Sequence, residues 1–408
     1  MPTLGLDFGT SNTAAALMAG AAPFVLPLEP STETLPTAVF IDFARRRFVY
    51  GSEALNALRD GQDGRFLRAL KSILGTPLAH EPRMFLNEKL TLVEIIARFL
   101  AEIRHRSEAF TGLTFEHALS GRPVRFHSAS DERDAQAEAD LRQAYDLAGF
   151  KSVGFLPEPE AAALAVAGSG RLLIVDIGGG TSDFTLCDRK HGKTHVLASR
   201  GLRLGGTDFD RTLSLAHAMP LFGSEALLRA EIGEARHPAP RALYHDLASW
   251  EKIPFVYDAT LLRDVRRWVR LADEPRLFER LADILDMHLG HDVAHAVEAG
   301  KIRANSADEA EIALGLVERG LKAPLSRAMM DAGLTAAFAA IRDAALETIR
   351  AADVAAATVD QVVFVGGSSL LKGLRTELAA ALPDARQVDS AVFTAVAHGL
   401  AIAAARAG

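Results

Sequence analysis

Cysteine is almost missing from this sequence: Cys187 is the only one in 408 residues. That excludes an internal disulfide and a cysteine-only metal site, and it fits a reducing compartment. Long apolar runs are missing as well. The longest weakly polar stretches, 161–168 and 394–405, are alanine-rich and fall short of the roughly 20 apolar residues that span a bilayer. The N-terminus has no basic segment followed by an apolar one, so no signal peptide is expected and the protein is expected to be cytoplasmic. Positive charge is not in excess. The formal net charge is −7, which removes the electrostatic ground for nucleic acid or an anionic membrane as a partner. The two common phosphate-loop patterns, GxxxxGK followed by Ser or Thr and GxGxxG, do not occur either. What remains is ordinary globular composition, 49% hydrophobic and 24% charged, in a chain long enough for two or more domains with full cores.

The most informative segment that is present is 172–186, LLIVDIGGGTSDFTL. An aliphatic run, an acid, three glycines and a return to alternating apolar residues predict a strand, a tight turn and a second strand. The glycines Gly178, Gly179 and Gly180 let backbone N–H groups approach a phosphate with no Cβ in the way. Asp176 at the strand end can hold a hydrated Mg2+, which prefers oxygen ligands; Thr181 adds a hydroxyl and Asp183 a second carboxylate. A plain glycine hairpin has the same local look. Against it stands a second copy about 170 residues earlier, as in a duplicated half-molecule: 4–17, LGLDFGTSNTAAAL, repeats strand, Asp7, Gly9, Thr10, Ser11, Asn12 and strand. Two such elbows facing each other make a phosphate clamp.

Between and beyond the elbows the pattern is mixed α/β. Short strands are expected at 35–40 and 47–49, a helix over 65–74 (RFLRALKSIL) carrying Lys71, and an amphipathic helix over 90–103. A buried strand is expected over 117–124 and a polar helix over 130–148 opened by Ser-Asp-Glu. Residues 156–168, LPEPEAAALAVAG, form a small-residue helix after a proline turn, and 394–405 form a second one, suited to close approach and pivoting. Gly205 and Gly206 precede an acidic helix start, a suitable place for phosphate. Residues 222–285 have helical period, with Arg263, Arg266, Arg267 and Arg270 on one helix, more simply a solvated face than a partner surface. His288, His291 and His295 fall on one helical face, but HExxH is absent and zinc is the minor reading. Strand, Gly-Gly-Ser-Ser turn and helix follow over 361–374.

Five motifs in order, LDFGTSNT, PEPEAAALAVA, VDIGGGTSDF, LGGTDFD and FVGGSSLLKGL, resemble the actin-like ATPase superfamily. Within it they resemble the nucleotide-binding domain of DnaK-type 70-kDa heat-shock chaperones. GRPV and LSLAHAMPLFG bring the chain nearest to the short YegD-like group that lacks a peptide-binding domain. The resemblance implies two lobes of duplicated ribonuclease-H-like mixed sheets flanked by helices, with a nucleotide cleft between them. Lobe I is expected over 1–168 with a subdomain inserted at 40–111, lobe II over 169–391 with a helical one at 215–310, and a second hinge helix over 392–408.

Site roles follow from the same resemblance. Asp7, Asp176 and Asp183 would position magnesium through water, and Gly9 to Asn12 with Gly178 to Thr181 would hold the phosphates. Lys71, in ALKSILG where the family has AIKRLIG, would reach the γ-phosphate; Glu158 would sit near the attacking water; and Pro123 would couple nucleotide state to domain movement. Glu298 and Lys301 match the adenosine-side helix, and Gly366, Gly367 and Ser368 the turn beneath the nucleoside. Three departures stand out: Leu370 replaces an arginine that stacks on adenine, Phe393 replaces an aspartate, and the chain ends at Gly408, so no peptide-holding cycle is expected. The function implied is a magnesium-dependent switch that binds ATP or ADP and hydrolyses ATP slowly, its closure read by a protein partner. A bacterial actin-like filament protein, a sugar or acyl-phosphate kinase and a nucleotide-binding scaffold without turnover are the alternatives.

Overall fold

The computed structural model describes residues 2–30, 32–127, 130–166, 169–190, 193–230, 234–389 and 394–407. Phe393 and residues 167–168, part of the expected hinge segments, lie outside them. The chain forms two compact units, Met1–Gly206 with Phe338–Gly408, and Thr207–Ala337.

The first unit is built on two sheets of one topology. In the first the strand order is Ser152–Pro157, His117–Arg122, Thr3–Phe8, Asn12–Ala19, Ala22–Val25, with the short Leu35–Pro36 also on Asn12–Ala19. In the second it is Arg386–Asp389, Gln361–Val365, Gly170–Ile177, Ser182–Lys190, Lys193–Leu202. Each places the acid-ending strand at its centre, with antiparallel neighbours on one side and parallel strands on the other. A central strand of this kind is covered on both faces and needs apolar residues in succession. Leu172, Leu173, Ile174 and Val175 are all fully buried, as are Leu4, Leu6 and Phe8 in the first sheet.

Helix boundaries follow local chemistry. Thr91 and Glu94 form a reciprocal capping box on Leu92–Thr111, which ends at Gly112 with φ 70°. Ser130 caps Asp131–Leu147 by accepting from the Arg133 N–H. The small-residue helices are Glu158–Ala165 and Ala395–Ala407. They pack at backbone distance, since a Cβ on Gly399 would overlap the Ala161 carbonyl. With Leu172, Ile174, Cys187, Val363 and Val365 they form one apolar cluster under the second sheet.

The helix expected over 65–74 is not formed. Gly64–Arg68 is a strand on Ala38–Asp42, Ala69 turns left-handed at φ 59°, and Lys71 lies in a 3-10 turn, Leu70–Ile73. Short apolar runs satisfy both periods, and the unpaired edge of Ala38–Asp42 takes this one up as a strand.

In the second unit the helices Arg241–Leu247, Ala259–Leu271, Pro275–Asp286 and Gly290–Ser306 are joined by irregular turns. The stretch 222–285 is not helical throughout, because Leu227–Arg229 pairs with Arg236–Pro238 as a hairpin. Nor do the three histidines share a helical face. His288 precedes the helix at φ 56° and stacks on Tyr257 with ring centroids 4.3 Å apart, while the buried His291 ring faces the Trp250 carbonyl at 3.2 Å. No helix among the described residues is long and apolar enough to cross a membrane.

Candidate phosphate-binding centre

The two elbows close with the same hydrogen bond. The Gly9 N–H donates to the Asn12 carbonyl at 3.1 Å, and the Gly178 N–H donates to the Thr181 carbonyl at 2.9 Å. Each turn therefore leaves its acid, Asp7 or Asp176, at the end of a buried strand with the glycines just beyond. The turns meet tip to tip. A Cβ built on Gly179 would lie 2.6 Å from Ser11 Oγ and 3.0 Å from Thr10 Cβ, and one on Gly180 would lie 3.3 Å from Thr10 Oγ1.

Neighbouring turns complete the ring. The Gly206 N–H donates to the Gly178 carbonyl at 3.0 Å, and a Cβ on Gly205 would stand 2.7 Å from the Gly179 carbonyl oxygen. A Cβ built on Gly366, at φ 78°, would lie 2.4 Å from the Ile177 carbonyl oxygen and 2.8 Å from Asp176 Oδ1. Only glycine reaches that conformation and spacing without strain. Gly367 opens the 3-10 turn that carries Ser368, whose hydroxyl packs against Gly206.

Acids and one base converge here. Lys71 forms an ion pair with Glu158, the side chains only 7% and 12% exposed. Asp176 and Asp183 stand directly opposite each other in the hairpin register, an arrangement that like charges disfavour. Burial and the Glu158 charge push the Asp7 carboxyl up to about 7, against the pull of Lys71. Burial raises Asp176 and Asp183 well above the usual range too, with Glu158 the next cause for each; for Asp183 the Val124 N–H and the Thr181 hydroxyl oppose the shift. The Val124 bond, 2.6 Å to Asp183 Oδ1, follows Pro123 directly. It joins residues 59 positions apart, and no spacing in the sequence announces it.

No group of three His, Cys, Asp or Glu among the described residues is close enough to ligate a metal ion directly. The donor set nevertheless fits a hydrated divalent cation, because buried acids that repel one another are relieved by a nearby positive ion.

Most of the sequence-selected residues thus meet in the first unit: Asp7, Gly9, Thr10, Ser11, Asn12, Lys71, Glu158, Asp176, the glycines Gly178 to Gly180, Thr181, Asp183, Gly205, Gly206 and the Gly366–Ser368 turn. Glu298 and Lys301 belong to the second unit, where both lie on the helix Gly290–Ser306 and Lys301 Nζ pairs with Asp210 at 2.7 Å.

Two sheets of identical strand order, each ending its central strand in an acid and a glycine turn, define an actin-like ATPase fold. The family model described as Hsp70 protein matches residues 3–228, more than half of the chain. The protein belongs to the Hsp70 family. Its members bind ATP and ADP and are ATPases.

Proposed function

We propose that this protein is a magnesium-dependent, slowly hydrolysing ATP switch whose closure a protein partner reads. The observation that carries the proposal is the tip-to-tip meeting of the two elbows over a centre of buried acids. Backbone N–H groups and hydroxyls of Thr10, Ser11, Asn12 and Thr181 would hold the phosphates. Asp7, Asp176 and Asp183 would hold the magnesium through water, and the ion would supply the charge that lets an anion enter an acidic centre. Hydrolysis needs the terminal phosphate in line, its charge balanced and the water oriented. Lys71 would do the balancing. Glu158 would orient the water, and its ion pair with Lys71 holds both side chains at the centre beforehand.

On the nucleoside side we assign the turn Gly366 to Ser368; Glu298 and Lys301 are kept as the adenosine-side residues that the family resemblance implies. The lobes would follow the division 1–168, 169–391 and 392–408, with the two small-residue helices as the hinge. GRPV and LSLAHAMPLFG support placement near the YegD-like group, and a cytoplasmic site of action is the one typical of Hsp70 proteins.

Calorimetric titration with Mg-ATP, Mg-ADP and Mg-GTP tests the proposal. Saturable binding of the adenine nucleotides, lost when a chelator removes magnesium, is the expected result. No binding of any of the three refutes it.

A further inference from the structure

Ser72 has a hydroxyl with nothing to do. Its N–H donates to the Ala69 carbonyl at 3.0 Å and its carbonyl accepts from Arg203 Nη2 at 2.9 Å, so both backbone groups are used. The side-chain Oγ is buried and makes no hydrogen bond. Folded proteins rarely leave a buried hydroxyl unpaired, because it has given up water for nothing. The position of this one is specific: a Cβ on Gly180 would lie 2.9 Å from it, and Thr10 Oγ1 is 3.3 Å from the same point. Ser72 therefore faces Gly180 at the tip of the second elbow, beside Thr10 of the first, and follows Lys71 of the Lys71–Glu158 pair.

The elbow has two ends. Gly178 is tied to Gly206, and Gly206 and Asp176 adjoin the Gly366–Ser368 turn assigned to the nucleoside. Gly180 and Ser72 mark the other end. A nucleotide laid along the elbow presents its outermost phosphate there. We infer that Ser72 is a further phosphate-contact residue, its hydroxyl donating to the terminal phosphate of a bound nucleoside triphosphate and so distinguishing triphosphate from diphosphate. The inference rests on the preceding assignment of the elbows to a nucleotide. It also gives the serine a purpose where the family motif AIKRLIG has arginine.

The test is calorimetry on the full chain with a non-hydrolysable Mg-triphosphate analogue of ATP and, separately, with Mg-ADP. A hydrogen bond to a charged group is worth about tenfold in affinity or more. Ser72→Ala should therefore weaken the triphosphate analogue about tenfold and leave Mg-ADP unchanged. Its melting temperature without nucleotide should equal or exceed that of the parent, because the deleted hydroxyl has no partner there. Ser72→Cys, close in size but a poor donor, should lose the preference as the alanine variant does. Parental triphosphate affinity in either variant, or equal losses for both nucleotides, overturns the assignment. A parent protein that binds neither nucleotide instead overturns the reading of the elbows themselves.

Discussion

Lys71 and Glu158 neutralise each other within a ring of carboxylates, so removing either exposes the rest. Lys71→Ala should lower single-turnover ATP hydrolysis about 100-fold, the usual effect of deleting a preorganised charge donor, and weaken Mg-ATP binding by less than about tenfold in calorimetry. A centre of this kind also answers to pH. The Asp7 carboxyl is raised to about 7 by burial and Glu158, and Asp176 and Asp183 shift the same way. The protonated forms are the ones folding favours, so their contribution is complete below the ordinary carboxylate range and is lost as pH rises through about 7. Without nucleotide, the melting temperature should fall as pH rises from about 4 to about 7, and Asp7→Asn should flatten that fall. Asp7 and Asp176 are legible in the sequence because an acid between an aliphatic run and glycines has few other uses. The Val124 N–H that holds Asp183 and the idle hydroxyl of Ser72 are not, since their neighbours arrive from distant parts of the chain.

Elements with two apolar faces or an acid-and-glycine turn announce themselves, and both sheets follow that pattern. The strand Gly64–Arg68 does not, because Phe66, Leu67, Leu70 and Ile73 suit a helix until Ala69 breaks the path. The hairpin Leu227–Arg229 with Arg236–Pro238 is too short to carry a period of its own. The small-residue helices are readable as a pair, but their contact point is fixed only by Gly399 against Ala161. Gly399→Ala should cost about 1–3 kcal/mol in urea unfolding, since the added methyl meets backbone that cannot step aside. Gly179→Ala acts on the elbow instead. Its methyl would meet Ser11 Oγ at 2.6 Å, and Mg-ATP affinity should fall at least about tenfold while the fold persists.

At the scale of the whole molecule the chain divides into Met1–Gly206 with Phe338–Gly408, and Thr207–Ala337, and the proposed phosphate centre is built from residues of the first of these. Scanning calorimetry with magnesium tripolyphosphate should raise the unfolding temperature of the first unit and leave that of the second in place. The duplication is readable from one repeated motif, and a helical subdomain at 215–310 from the family resemblance; the bounds of the compact second unit, Thr207–Ala337, are not, because its helices and hairpins share no repeated pattern.

Cys187 lies in the cluster between the second sheet and both small-residue helices, its thiol pushed up to about 11 by burial. As the sole sulfhydryl of the chain, it is a ready-made clock for opening of that layer. The rate at which a thiol reagent modifies it measures how often helices and sheet part, and slower modification under saturating nucleotide would report their tightening without any added label.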